Sequence, residues 1–315
     1  MSIQQRMAEV FETAEVIDFD DDDKFIFMSD CHRGDNSWSD SFADNQLLFY
    51  HALKYYLNRD FTYIEIGDGD ELWENKDYAE IMDAHSYIFE LLNCFLQEHR
   101  LYILFGNHDI ERLDHTMMKK ANQKFQTKLI EQRGARAWNP EFDKMEFPEA
   151  LKLRHTATGQ MVFLVHGHQF DHFNDRWWRI GRLFNNYFWK HLQIIGLKDP
   201  ASPAKNAIKM NKVDRRIEDW LRKWNEVNEP MLLVAGHTHH PRFPEKGTVS
   251  YFNTGSGVHP RGITGIEIQN GEITLVKWWT TVRVLDKDEG VLTVSKEIIR
   301  GPESLKSFYC KNDVP

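Results

Sequence analysis

Thiols are scarce in this chain: Cys31, Cys94 and Cys310 stand far apart in 315 residues, and no two of them form a CxxC pair. That excludes a disulfide framework and a cysteine-built zinc site, and it suits a reducing, cytoplasmic setting. Positive charge is not in excess either. A net charge of −9 argues against a general nucleic-acid binder, which needs a basic surface to displace counterions. No apolar run approaches the ~20 residues that cross a bilayer. The opening "MSIQQRMAEVFETAEV" has neither the basic start nor the apolar stretch of a secretory signal. What is present is ordinary for a soluble protein, with 41% hydrophobic and 28% charged residues, in a chain long enough to bury a substantial core.

Short apolar runs recur, each ending in a polar cluster: "KFIFMSDCH", "FTYIEIGDGD", "LYILFGNHD", "MVFLVHGH" and "MLLVAGHTHH". Near-continuous runs of this length suit strands covered on both faces. Between them lie helical stripes: Leu48, Ala52 and Tyr55, then Ile81, Ala84, Ile88, Leu91 and Phe95, read as one longer helix. Asp30 to Asp68 is 38 positions and Asp68 to Asn107 is 39, each room for a strand–helix–strand unit of roughly thirty residues. In such a sheet the strand ends meet along one edge, where ligands bind. Farther on, Asn270-Gly271 between two alternating runs signals a hairpin, and "VSYFNTGSG" and "GVLTVSKEII" read as further strands. These predict a second, largely antiparallel sheet.

The strand ends collect Asp30 and His32; Asp68; Asn107 and His108; His166 and His168; and His237 and His239. Any one of these histidines is most simply a hydrogen-bonded core or surface residue. Oxygen and imidazole donors at five strand ends in one chain, without a thiolate, suit first-row divalent cations such as manganese, iron or zinc. Cations also explain how "GDGDELWEN" tolerates Asp68, Asp70, Glu71 and Glu74 in so short a stretch, because like charges beside a buried strand need a positive partner. In "DCH" and "HTH" the two donors flank one residue, and in an extended strand end or a tight turn they can face the same side.

The order "DCH" (30–32), "GDGDE" (67–71), "GNHD" (106–109), "VHGH" (165–168) and "GHTH" (236–239), followed by "NTGS" (253–256), resembles the calcineurin-like metallophosphoesterase superfamily. The resemblance covers residues 24–285 and implies a four-layer α/β/β/α sandwich in a single domain. It also implies two divalent ions, Mn²⁺ foremost with Fe or Zn as alternatives. By the same likeness Asp30, His32 and His239 would hold one ion, Asp68 would bridge, and Asn107, His166 and His237 would hold the other, with His168 the alternative to His166. His108 would be the catalytic histidine, oriented by Glu71 or by Asp109; Asp70 and Glu74 receive no role. The implied reaction is hydrolysis of a phosphodiester or pyrophosphate by a hydroxide shared between the ions. Phosphoprotein or cyclic-nucleotide substrates are alternatives, and a catalytically silent binding scaffold is the alternative of another class.

Within that superfamily the chain is similar to the UDP-2,3-diacylglucosamine hydrolases in Glu71 and Trp73 of "GDGDELW" and in "GHTHHP". It departs from them at His108, where they usually carry arginine, and at His168, where they carry aspartate. A nucleotide-sugar or lipid-linked phosphate is the substrate this implies. Residues 170–228 read as a helical cap insertion. Lys and Arg number twelve against five Asp and Glu from His172 to Asn225. Arg176, Arg179 and Arg182 lie opposite Trp177, Ile180, Phe184 and Phe188 on a helical wheel, which suits a phosphate-binding face as well as a solvated basic face or docking on an anionic membrane. His168 is a further candidate for substrate contact.

Overall fold

The computed structural model describes residues 2–134, 138–171, 203–286 and 289–309. Eleven strands lie in two sheets. They are β1 (Glu15–Phe19), β2 (Phe25–Met28), β3 (Thr62–Ile66), β4 (Leu101–Leu104), β5 (Ala150–His155), β6 (Met161–Val165), β7 (Met231–Ala235), β8 (Tyr251–Asn253), β9 (Gly262–Gln269), β10 (Glu272–Asp286) and β11 (Glu289–Ser304). The helices are α1 (Ile3–Thr13), α2 (Gln46–Leu57), α3 (Tyr78–Ala84), α4 (Ser86–Gln97), α5 (His115–Arg133) and α6 (Pro203–Val227).

The five-stranded sheet runs β1-β5-β6-β7-β8 and the six-stranded sheet β11-β10-β9-β2-β3-β4. Phe25, Phe27, Ile64, Ile66 and Leu104 of the larger sheet pack against Leu151, Leu153, Val162, Leu164 and Val234 of the smaller. On its outer face the larger sheet carries α2, α3, α4 and α5 through residues such as Leu48, Phe49, Ile88, Phe95 and Phe125. The smaller sheet is covered outside by α1 and α6, through Met7, Val10, Val213, Ile217, Trp220 and Leu221. The four layers are therefore helix, sheet, sheet, helix, as the sequence implied.

Two arrangements differ from the sequence reading. The C-terminal strands form no separate sheet: Asn270 and Gly271, both left-handed, turn β9 into β10, and β9 then pairs antiparallel with β2. The antiparallel strands and the parallel β2-β3-β4 thus share one sheet, while β6, β7 and β8 belong to the other. Secondly, the stripe from Ile81 to Phe95 is broken at His85 (φ −116°, ψ 31°) into α3 and α4. The fully buried His85 side chain reaches Asp40 (Nε2–Oδ2 3.1 Å), and that tie fixes the bend while the apolar face continues across it. Of the cap insertion read at 170–228, residues 172–202 lie outside the described residues, and α6 supplies the stretch 203–227. Val213, Ile217, Trp220 and Leu221 bury it as the outer layer. Arg176, Arg179 and Arg182 lie outside the described residues.

Candidate metal centre

Each polar cluster begins where its strand stops, and the backbone turns sharply there. Five of the seven proposed ligands have left-handed backbones: Asp30 (φ 52°), His32 (47°), Asp68 (50°), His237 (65°) and His239 (58°). Such conformations disfavour residues bearing a Cβ, by about 1–2 kcal/mol each, and they concentrate at functional sites where surrounding contacts enforce them. Of the two geometries open to Asp30 and His32, the structure has the turn, with left-handed residues on either side of Cys31. Enforcement is visible in the hydrogen bonds. The Asp30, His32 and Arg33 amides donate to the Gly67, Asp68 and Gly69 carbonyls at 3.1, 3.0 and 3.0 Å, and the Gly236 amide donates to His166 O at 2.9 Å. Gly67 (φ 75°) has to be glycine, since a Cβ there would lie 2.7 Å from the His166 ring.

The two central carboxylates each commit one oxygen to the protein and direct the other at imidazoles. Asp30 Oδ2 accepts from the His237 amide at 2.9 Å and from the Ser29 hydroxyl, while Oδ1 lies 3.2 Å from His239 Nε2. Asp68 Oδ1 accepts from the His108 amide at 2.8 Å, while Oδ2 lies 3.1 Å from His166 Nε2 and 3.9 Å from His32 Nε2. The imidazoles are oriented from behind. His166 Nδ1 donates to Ile66 O at 2.8 Å, and His32 Nδ1 donates to Glu71 Oε2 at 2.9 Å. Nε2 of each is thereby turned toward the carboxylates, the arrangement in which a neutral imidazole offers a lone pair to a metal. His237 is held by Asp171, 3.9 Å away, and Asp171 is bound in turn by Lys209 of α6 at 2.9 Å.

Among the described residues, three sets of side chains come close enough to hold a cation: Asp30, His32 and His239; His32, Asp68 and His108; and Asp68, His166 and His237. Asp30 Oδ1, His32 Nε2, Asn107 Oδ1 and His166 Nε2 are buried without a well-directed hydrogen bond, a costly condition in a finished interior unless another group completes them. The donor set and these orphaned atoms fit two divalent ions. His168 belongs to none of the sets. It is 3% exposed, and burial together with the neighbouring His166 pushes its pKa well below the ordinary imidazole value.

The charges follow the geometry. Burial alone would raise the Asp30 pKa, but His239 and His166 hold it down at about 2. Asp68 likewise lies well below the usual carboxylate range, because His166 and His108 outweigh its burial. Burial lowers imidazole pKa values, yet Asp68 and Asp30 lift that of His166 to about 9, and Glu71 and Asp68 lift that of His108 to about 10. The carboxylates draw positive charge to this rim, and protons and divalent ions compete to supply it.

Glu71 does more than the sequence suggested. Its carboxylate contacts His108 Nδ1 at 2.9 Å as well as His32 Nδ1, so one side chain orients a proposed ligand and the proposed catalytic histidine together. Asp109 is occupied otherwise, accepting from the Gly106 amide at 2.7 Å and the Gly69 amide at 2.8 Å and pairing with Arg112 at 3.1 Å. Beneath the loops lies a solvent-free ionic cluster that nothing in the sequence announced. Arg33 grips Glu65 through both terminal nitrogens at 2.7 and 2.8 Å and Asp70 through Nε at 2.6 Å. Arg112 bonds the other oxygen of Asp70. Asp70, unassigned by sequence, is the joint between the first and third motif loops.

The calcineurin-like phosphoesterase family model matches residues 23–244. This chain belongs to that family. The family typically binds divalent metals, and the clustered Asp and His groups of this member lie within the matched span. No curated protein matches the chain. Among solved structures it is similar to vacuolar protein sorting 29 from Cryptosporidium parvum, at 14% identity and a TM-score of 0.35 over 89% of this chain and 100% of that one. A second is Vps29 from Chaetomium thermophilum, at 12% identity and a TM-score of 0.35 over 88% of this chain and 96% of that one. Both likenesses are too distant to bear on function.

The site also uses residues the sequence reading passed over: Ser29, Arg33, Arg112 and Asp171. Ser29 and Arg33 flank "DCH" and Asp171 stands just past "VHGHQF", so position beside a proposed ligand block was the signal for three of them.

Proposed function

We propose that this calcineurin-like phosphoesterase is a hydrolase with two divalent ions, acting on a phosphodiester or pyrophosphate bond. The observation that carries the reading is the shared carboxylate. Asp68 Oδ2 stands within 3.1 Å of His166 Nε2 and 3.9 Å of His32 Nε2, so one oxygen serves both halves of the donor set. Asp30, His32 and His239 would hold one ion and Asn107, His166 and His237 the other, with Asp68 common to both; manganese, iron and zinc all suit these donors. Bound there, such ions supply Lewis acidity to phosphoryl oxygens and an acidified water.

The protein's own contribution centres on His108. With Nδ1 committed to Glu71, Nε2 is the atom left to hand a proton to the departing oxygen, and the Glu71 and Asp68 charges keep the ring cationic near neutral pH. The substrate is a small or lipid-linked phosphate, and a nucleotide-sugar is the candidate that the "GDGDELW" and "GHTHHP" likeness supports. No helix among the described residues is long and apolar enough to cross a membrane.

Protein stripped with a chelator and reloaded with Mn²⁺ should turn over bis-p-nitrophenyl phosphate, and a panel of nucleotides and UDP-sugars should then identify the leaving group by nucleotide or phosphate release. A folded chain that binds Mn²⁺, Fe²⁺ or Zn²⁺ yet hydrolyses none of these compounds would refute the reading.

A further inference from the structure

His108 is enclosed on several sides, and one wall of the enclosure has no role so far. The Trp73 indole lies parallel to the imidazole, with centroids 4.0 Å apart and planes at 21°. His32 meets the same imidazole edge-on at 4.6 Å and 86°. Trp73 is 7% exposed, so its ring is no platform for a substrate in solution. Its indole N–H is buried without a hydrogen-bond partner, which means that packing rather than a polar tie places the ring. The main chain fixes its position instead. The Trp73 amide donates to Glu71 Oε1 at 3.2 Å, and the Leu72 amide donates to the His108 carbonyl at 3.1 Å.

A hydrogen bond at Nδ1 leaves an imidazole free to swing about the Nδ1 axis, which would carry Nε2 off the reacting bond. A parallel ring in contact with one face blocks that swing. The contact therefore bears on the group that delivers the proton and touches no proposed ligand.

We propose that Trp73 is a positioning residue for leaving-group protonation: its indole face holds the His108 ring so that Nε2 addresses the departing oxygen. This rests on the phosphoesterase reading above. Protonation matters most when the leaving group is a poor one, so the contribution of Trp73 depends on leaving-group basicity, whereas a merely structural contribution does not.

The test uses the full chain loaded with Mn²⁺ and two diesters, bis-p-nitrophenyl phosphate and diphenyl phosphate, whose phenol is the poorer leaving group. Trp73→Leu should lower kcat on diphenyl phosphate by about tenfold or more and on the nitrophenyl ester by less than about threefold, a fraction of the 10²–10⁴-fold typical of a proton-transfer group. KM and metal content should hold, Trp73→Phe should restore most of the loss, and His108→Ala should show the same leaving-group split more strongly. Should the leucine variant melt early, Trp73→Met preserves volume without a ring and is read in its place. Equal losses on both esters, or none on either, while His108→Ala retains the split, would overturn the role of Trp73 alone. A wild-type chain inert toward both esters, or a His108→Ala variant without the split, would overturn the phosphoesterase reading and this inference with it.

Discussion

Replacing Glu71 by glutamine should move the alkaline limb of the pH–rate profile toward neutrality. Glu71 sits 2.9 Å from His108 Nδ1 and 2.9 Å from His32 Nδ1. Burial opposes the His108 cation, and the Glu71 charge, followed by that of Asp68, overcomes it to place the pKa at about 10. Glutamine keeps an acceptor for one ring but removes the charge and turns an amide NH₂ toward the other. A hydrogen bond to a charged partner contributes about 1.5–3 kcal/mol, and about 1.4 kcal/mol corresponds to one pH unit, so the His108 pKa should fall by roughly one to two units. Cations bound at Asp68 would offset part of that carboxylate's pull and bring the wild-type limb below about 10; the difference between the two proteins is what isolates Glu71. Because the loosened His32 should also weaken metal binding, by something like the 10–100-fold typical of such partners, kcat is measured at saturating Mn²⁺ in oxygen-free buffer. An alkaline limb that stays within about 0.3 units of wild type, short of the shift such a bond implies, would refute the assignment of His108 as the proton donor clamped by Glu71.

Asp68→Asn should reduce the content of both ions together, since one carboxylate faces both halves of the donor set; elemental analysis finding two equivalents retained would contradict this. Mn²⁺ affinity should rise with pH, by about tenfold per unit for each proton displaced, because an ion taken up at His166 displaces a proton whose pKa is about 9; calorimetric titrations at two pH values that agree would exclude that competition. Arg33→Met should cost about 3–5 kcal/mol of unfolding free energy, the usual result of stranding a buried charge, here Glu65 and Asp70. A urea midpoint close to wild type would show that the cluster carries little stability.

Much of the site was legible because metal ligation demands particular side chains at strand ends, and "DCH", "GNHD" and "GHTH" keep them in short windows. Which sheet each strand joins was not. The Asn270-Gly271 turn is a local signal, but the pairing of β9 with β2 joins residues more than two hundred positions apart, and nothing in either run names its partner. The bend at His85 was hidden because the apolar stripe passes through it unbroken, and only the distant Asp40 gives the bend a cause. Arg33 and Arg112 drew no notice in the sequence, because only folding places them around Asp70. The left-handed ligands were invisible for a related reason: backbone sign at Asp30 or His239 is imposed by neighbouring loops, not by the residue's own preference. Between His166 and His168 the structure differs in geometry: the Ile66 carbonyl accepts from His166 Nδ1 and turns Nε2 toward Asp68, while His168 joins none of the carboxylate–imidazole sets.

The candidate ligands come from both layers of the sandwich. Asp30 and His32 follow β2 and Asp68 follows β3 in one sheet, while His166 follows β6 and His237 and His239 follow β7 in the other. An ion seated among Asp30, His32 and His239, or among Asp68, His166 and His237, is a rivet through the seam. Mass action then adds about 2.7 kcal/mol of resistance to unfolding at a hundredfold excess over the dissociation constant. Without such an ion the two β layers would part more easily at the rim where these side chains meet.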